Sequence, residues 1–164
     1  MASWAEFEQE APPLAESGRW LLTQNQGMFF LATVRKDGSP QLHPVAPHLI
    51  QGELCVFVVI FSTKHGDLER DGRYALHAIP AGPDNREFLV SGRARAVRDP
   101  GERDRAIAAS GRHIQEWETL FVFDIERALG TSWANWGTDQ MPWPTYTRWK
   151  QGKGMEVDTP APPP

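Results

Sequence analysis

The sequence predicts a mostly β protein with flanking helices, and three observations carry that prediction. Six stretches have strand character: 28–34, 40–48, 53–61, 73–80, 87–98 and 120–125. The turn signals Asp37-Gly38 and Gln51-Gly52 separate the first three. Helical patterning concentrates at residues 4–24, 65–70 and 100–109.

Length and composition set the limits. A chain of 164 residues is one domain with room for a hydrophobic core. Hydrophobic content of 40% and charge content of 23% are those of an ordinary globular chain. The net charge is −4 and the Lys and Arg residues are scattered, which argues against a nucleic-acid surface. Cys55 is the single cysteine, so an intrachain disulfide and a thiolate metal cluster are excluded. The acidic N-terminus lacks the features of a targeting segment. The longest apolar run falls far short of the roughly 20 residues that span a bilayer. A cytoplasmic protein with no membrane partner is expected.

The N-terminal segment 1–26 holds the flanking helices. Ser3 and Glu6 have capping-box spacing, and the helix they open stops at Pro12-Pro13. A second helix over 13–24 buries Leu14, Leu21 and Leu22. Strand 28–34 then meets Asp37-Gly38, expected to form a two-residue hairpin turn because Gly takes positive φ at little cost. The return strand contains Pro44 and Pro47. Proline cannot donate to a ladder, so this strand is an edge or is interrupted. Residues 53–61 are the most apolar run and predict a strand buried on both faces.

That strand delivers Ser62-Thr63-Lys64 to the first turn of a helix over 65–70. Such a turn carries unpaired N–H groups and a partial positive charge, which suits a phosphate. Lys64 would add a full charge, and Ser62 and Thr63 hydrogen bonds. The same residues also read as an N-cap, a helix starter and a solvated charge.

Strand 73–80 places His77 in an otherwise apolar pattern, as a satisfied core or interface histidine or, more sharply, a haem ligand. In strand 87–98, Gly92 predicts a bulge or close backbone approach. Arg93 and Arg95 share a face that meets an anion or solvent. Asp99-Pro100-Gly101-Glu102 opens a helix to about residue 109. The last strand, 120–125, is followed by a segment with four of the seven tryptophans: Trp133, Trp136, Trp143 and Trp149. Aromatics in a stretch rich in Gly and Pro are expected to lie over a neighbouring surface, of this chain or of a partner. Residues 159–164 form a proline-rich tail that is expected to be disordered.

Several stretches in fixed order resemble the pyridoxamine 5′-phosphate oxidase-like family of split-barrel, FMN-binding proteins. They are Phe30-Leu31-Ala32-Thr33-Val34, Asp37-Gly38, His43-Pro44-Val45, the apolar strand, Ser62-Thr63-Lys64, and Leu68-Glu69-Arg70-Asp71-Gly72-Arg73-Tyr74-Ala75-Leu76. The resemblance covers about residues 15–130. It implies a six-stranded antiparallel split barrel over 27–131, with the tryptophan-rich segment 132–158 packed on the barrel or on a second subunit. It also implies a homodimer with FMN between the subunits, the phosphate at Ser62, Thr63 and Lys64, and the ring along His43, Pro44 and Val45. Trp133 or Trp136 either contacts the ring across the dimer or serves packing alone.

Some relatives use a deazaflavin coenzyme or bind haem instead. Two departures matter. The arginine near position 43 and the lysine after it that mark the pyridoxamine oxidases are absent, and their C-terminal Arg-x-His is here Arg148-Trp149-Lys150. No nucleophile–base set and no metal motif is legible. The expected activity is therefore oxidation or reduction of a small molecule by a bound flavin. A deazaflavin-dependent reductase and a non-catalytic flavin or haem carrier are the alternatives, and the catalytic residues remain unassigned.

Overall fold

Ser3 opens the first helix as its N-cap. Its hydroxyl accepts from the Glu6 amide, and the Glu6 carboxylate accepts from the Ser3 amide at 2.7 Å. In the computed structural model, which describes residues 1–161, this helix is α1 (Trp4–Glu10) and is followed by α2 (Pro12–Leu21). The strands are β1 (Phe29–Val34), β2 (Pro40–Val45), β3 (His48–Ile50), β4 (Glu53–Val59), β5 (Arg73–Ala78), β6 (Glu87–Ala96), β7 (Glu118–Ala134), β8 (Trp143–Lys150) and β9 (Gly154–Asp158). Helix α3 (Thr63–Arg70) joins β4 to β5, and α4 (Pro100–Ser110) joins β6 to β7. All strand pairs are antiparallel, in the order β2-β1-β5-β6-β7-β4-β3, with β8 also on β7 and β9 on β8. This is the expected mostly β architecture: an open antiparallel sheet of split-barrel type with flanking helices. No helix among the described residues is long and apolar enough to cross a membrane.

The six expected strands are all present, and three more join them. Strand β7 is the hub. One of its edges pairs with β6 along most of its length. On the other edge its first half pairs with β4 and its second half with β8. The expected strand 120–125 is thus a fragment of a 17-residue strand. The tryptophan-rich segment does not simply lie over a surface, because it forms the β8–β9 hairpin. Its glycines sit at the turn, where Gly152 and Gly154 take positive φ, and alternation from Trp143 to Trp149 builds the strand between. Trp149 is 2% exposed and belongs to the main core. Its ring centroid lies 5.1 Å from that of Phe7, and its indole donates to Glu10 at 3.1 Å. Trp4 and Phe88 complete the aromatic cluster, which clamps α1 and α2 onto the sheet.

Three other expectations need correction. The Asp37-Gly38 turn is longer than two residues. Gly38 takes positive φ and Asp37 does not, while the Asp37 carboxylate accepts from the Ser39 amide and hydroxyl. The two-residue turn is Gln51-Gly52, both at positive φ, between the paired Ile50 and Glu53. Next, the apolar run leaves the sheet at Val59, because the Ser62 amide and hydroxyl both donate to the Val59 carbonyl and bend the chain. Phe61 is left 78% exposed. Finally, the start of the tail is tied down: the Trp143 indole donates to the Pro160 carbonyl at 2.8 Å. Residues 162–164 of the expected disordered tail lie outside the described residues.

Candidate functional site

The end of β4, the start of α3 and the β1–β2 hairpin converge on one corner of the sheet. Ser62 caps α3, accepting from the His65 amide at 3.4 Å. Its own proton goes to the Val59 carbonyl at 2.7 Å, so the hydroxyl is fully engaged in the cap. Thr63 is exposed, and Gln41 of β2 donates to its hydroxyl at 3.4 Å. Lys64 is half-buried and makes no ion pair with any described residue. A cleft of about 470 Å³ opens here. Its lining includes Arg35, Lys36, Gln41, Thr63, Gly66 and Arg70. The lining also holds Asp37 and Asp67, the latter paired with Arg70, so with Lys64 next to Thr63 in sequence four cations stand against two carboxylates at this corner. That electrostatic surplus, a helix N-terminus and unpaired amides together make a seat for an anion.

The structure divides the His43-Pro44-Val45 triplet between two faces, because side chains alternate along a strand. Val45 is buried in the core. Pro44 points to the outward face, beside Phe30. His43 points inward, beneath α3, with its Nε2 3.2 Å from the Thr33 hydroxyl. That hydroxyl also donates to Asp67 Oδ2 at 2.8 Å, and Asp67 Oδ1 pairs with Arg70 at 3.0 Å. Arg70 further donates to the Val34 carbonyl, tying α3 to β1. Burial pushes the His43 pKa down. The Lys64 charge pushes in the same direction, Asp67 opposes them, and Arg35 adds a smaller downward push.

The tryptophans lie elsewhere. Trp133 is half-buried and donates to Glu87 at 3.2 Å, and the exposed Trp136 stacks obliquely on it at 6.0 Å. Strands β2 and β7 stand four places apart in the strand order. Among the described residues, Trp133 and Trp136 make no hydrogen bond or ring contact with His43 or Lys64. Sequence reasoning missed Thr33, Asp67 and Arg70. Their signal was present: a threonine alternating inward with Leu31, and an aspartate beside Leu68 on the buried face of α3.

A family model described as pyridoxamine 5′-phosphate oxidase matches residues 21–135. The chain belongs to this family. Strands β1 to β7, the capped helix after β4 and the paired β1–β2 hairpin all lie inside the matched span, and the β8–β9 hairpin follows it.

Solved structures agree on the fold. PhzG from Burkholderia lata, in complex with tetrahydrophenazine-1-carboxylic acid, has a TM-score of 0.63 at 15% identity, covering 94% of this chain and 96% of that one. A pyridoxamine 5′-phosphate oxidase-related, FMN-binding protein from Nostoc punctiforme gives 0.64 at 10% identity, covering 93% and 96%. A haem-binding protein from Mycobacterium smegmatis gives 0.55 at 14% identity, covering 87% of this chain and 57% of that one. No curated protein matches the sequence. The fold is thus shared with an FMN-binding and a haem-binding protein.

Proposed function

We propose that this protein binds FMN and uses it to oxidise or reduce a small molecule. The observation that carries the reading is the corner at the start of α3. Thr63 at the start of α3 lines a cleft with Arg35, Lys36 and Arg70, partly offset by Asp37 and Asp67, and Lys64 follows Thr63 in the first helical turn with no ion pair among the described residues. Thr63 and Lys64 would hold the phosphate, and Ser62 holds the turn that presents them. The ring would lie along β2 on the side of His43, with Pro44 on the opposite face. A bound flavin supplies the electron and hydride chemistry, and the chain binds, orients and shields it.

A homodimer with sites between its subunits fits the outward face of the sheet. In register across it run Pro44, Phe30, His77, Leu89 and Leu129, with Leu42, Ala32 and Ala75 in the next row. Phe30 is 41% and Leu42 62% exposed, which is apolar surface that a second copy would cover. A sedimentation mass of a single chain would remove the dimer.

The test of the cofactor assignment is retention. Purified protein mixed with FMN and desalted should keep a flavin spectrum. Lys64→Ala should weaken FMN affinity at least tenfold, or about 1.4 kcal/mol. Equal affinity in the variant would unseat Lys64 from the phosphate.

One observation favours a second reading, haem carriage. His77 Nδ1 lies 2.6 Å from the Ala78 carbonyl, to which it donates, leaving the Nε2 lone pair free on the apolar outward face. If haem binds there, a haem titration gives a Soret shift that His77→Ala abolishes. A shift that survives the substitution, or no shift at all, removes His77 as the ligand.

A further inference from the structure

A proton count through three side chains determines what His43 offers a ligand. Arg70 pairs with Asp67 at 3.0 Å, so Asp67 is a carboxylate and can only accept. Thr33 Oγ1 stands 2.8 Å from the other oxygen of that carboxylate, and the hydroxyl must be the donor. A hydroxyl has one proton, and it is now committed. His43 Nε2 lies 3.2 Å from the same hydroxyl oxygen, so Nε2 must carry a hydrogen and donate to it. In a neutral imidazole the lone pair then belongs to Nδ1. Nδ1 has no hydrogen-bond partner among the described residues, yet it is not sealed from solvent.

We infer that Thr33 and Asp67 position His43 as a neutral hydrogen-bond acceptor whose Nδ1 takes an N–H or O–H group of the ligand. His43 is therefore a specificity residue for the ring side of the site and not part of a phosphate clamp. A lone pair repels phosphate oxygens, whereas an imide N–H of a flavin-type heterocycle matches it. The surrounding charges agree with a neutral ring. Lys64 from α3 and Arg35 from the hairpin both disfavour the imidazolium, and burial outweighs the single opposing carboxylate of Asp67. The proton count stands by itself, while the choice of a ring imide rests on the flavin reading.

Long-range ¹H–¹⁵N spectra of histidine-labelled full-length protein at neutral pH test both parts. The His43 signals, identified by their loss in His43→Gln, should show a protonated Nε2 and a lone-pair Nδ1. Thr33→Ser should keep that pattern. Thr33→Val removes the acceptor, so it should mix the tautomers and weaken FMN retention about fivefold, the worth of one neutral hydrogen bond. Adding FMN should move the Nδ1 signal towards the hydrogen-bonded range.

A wild-type Nδ1–H tautomer overturns the inference. Retained FMN with an unmoved Nδ1 overturns the ring assignment. A protein that shows the Nε2–H tautomer but retains no FMN supports the proton count and removes the flavin reading instead.

Discussion

Trp149→Ala is expected to cost about 3–5 kcal/mol of folding stability, the range for deleting a large buried aromatic. The expectation rests on where the side chain sits. Trp149 is on β8, near the end of the chain, yet its ring packs edge-on against Phe7 of α1 and its indole donates to Glu10. One residue therefore joins the C-terminal hairpin, the sheet and the N-terminal helices. Removing it leaves a cavity against Phe7 and strips the Glu10 carboxylate of its donor. Such a loss is a large share of the roughly 5–15 kcal/mol by which domains are stable. Urea titration followed by circular dichroism measures it. A loss below about 1 kcal/mol would show that the β8–β9 hairpin is an appendage and not part of the cooperative unit. Trp136→Ala on the exposed loop should change stability by no more than about 0.5 kcal/mol, as ordinary surface substitutions do.

The same tryptophan shows where the sequence was legible and where it was not. Caps, turns and strand runs are local signals, and they placed α1, α4 and five strands within a few residues, while the sixth was found only as the fragment 120–125 of β7. Ser3 with Glu6, and Asp99 with Glu102, are caps in the structure as in the sequence. The β8–β9 hairpin was missed because Gly and Pro around it look like loop punctuation. Its strand identity comes from pairing with β7, which no local window contains.

The site was legible to the same extent. Ser62-Thr63-Lys64 at a helix start is a local pattern, and the structure places its Thr63 in the lining of a cleft of mixed charge. The Thr33–Asp67–His43 network joins residues up to 34 apart, and it depends on α3 docking under β1. The sequence gives the residue types but not their meeting. The departure at position 43 also changes meaning. An arginine there would be a fixed charge, whereas this histidine is held by its surroundings in a form that accepts hydrogen bonds.

Gly92 carries the second large prediction. A Cβ built on it would lie 2.1 Å from the Asp124 carbonyl oxygen and 3.0 Å from the Glu126 amide nitrogen. Both are backbone atoms of β7, held by the ladder, and neither can swing aside as a side chain would. The close approach arises from the register shift between Ser91 and Gly92, a bulge in which Glu126 of β7 is the extra residue and which bends β7 against β6. Gly92→Ala must push β7 away or undo the bulge. Overpacking in a rigid site costs about 1–3 kcal/mol and sometimes more, and a backbone obstacle places this case at or above the upper end.

Gly66 supplies the contrast. It lies inside α3 without positive φ, and an added Cβ there meets nothing within 4 Å. Gly66→Ala should therefore stabilise the protein by about 0.4–1 kcal/mol, by restricting the unfolded chain and favouring helix. Denaturation midpoints of the two variants should shift in opposite directions from the wild type. If Gly92→Ala is as stable as the parent, the bulge is not a constraint on the fold, and the curvature of the split barrel must originate elsewhere in β6 and β7.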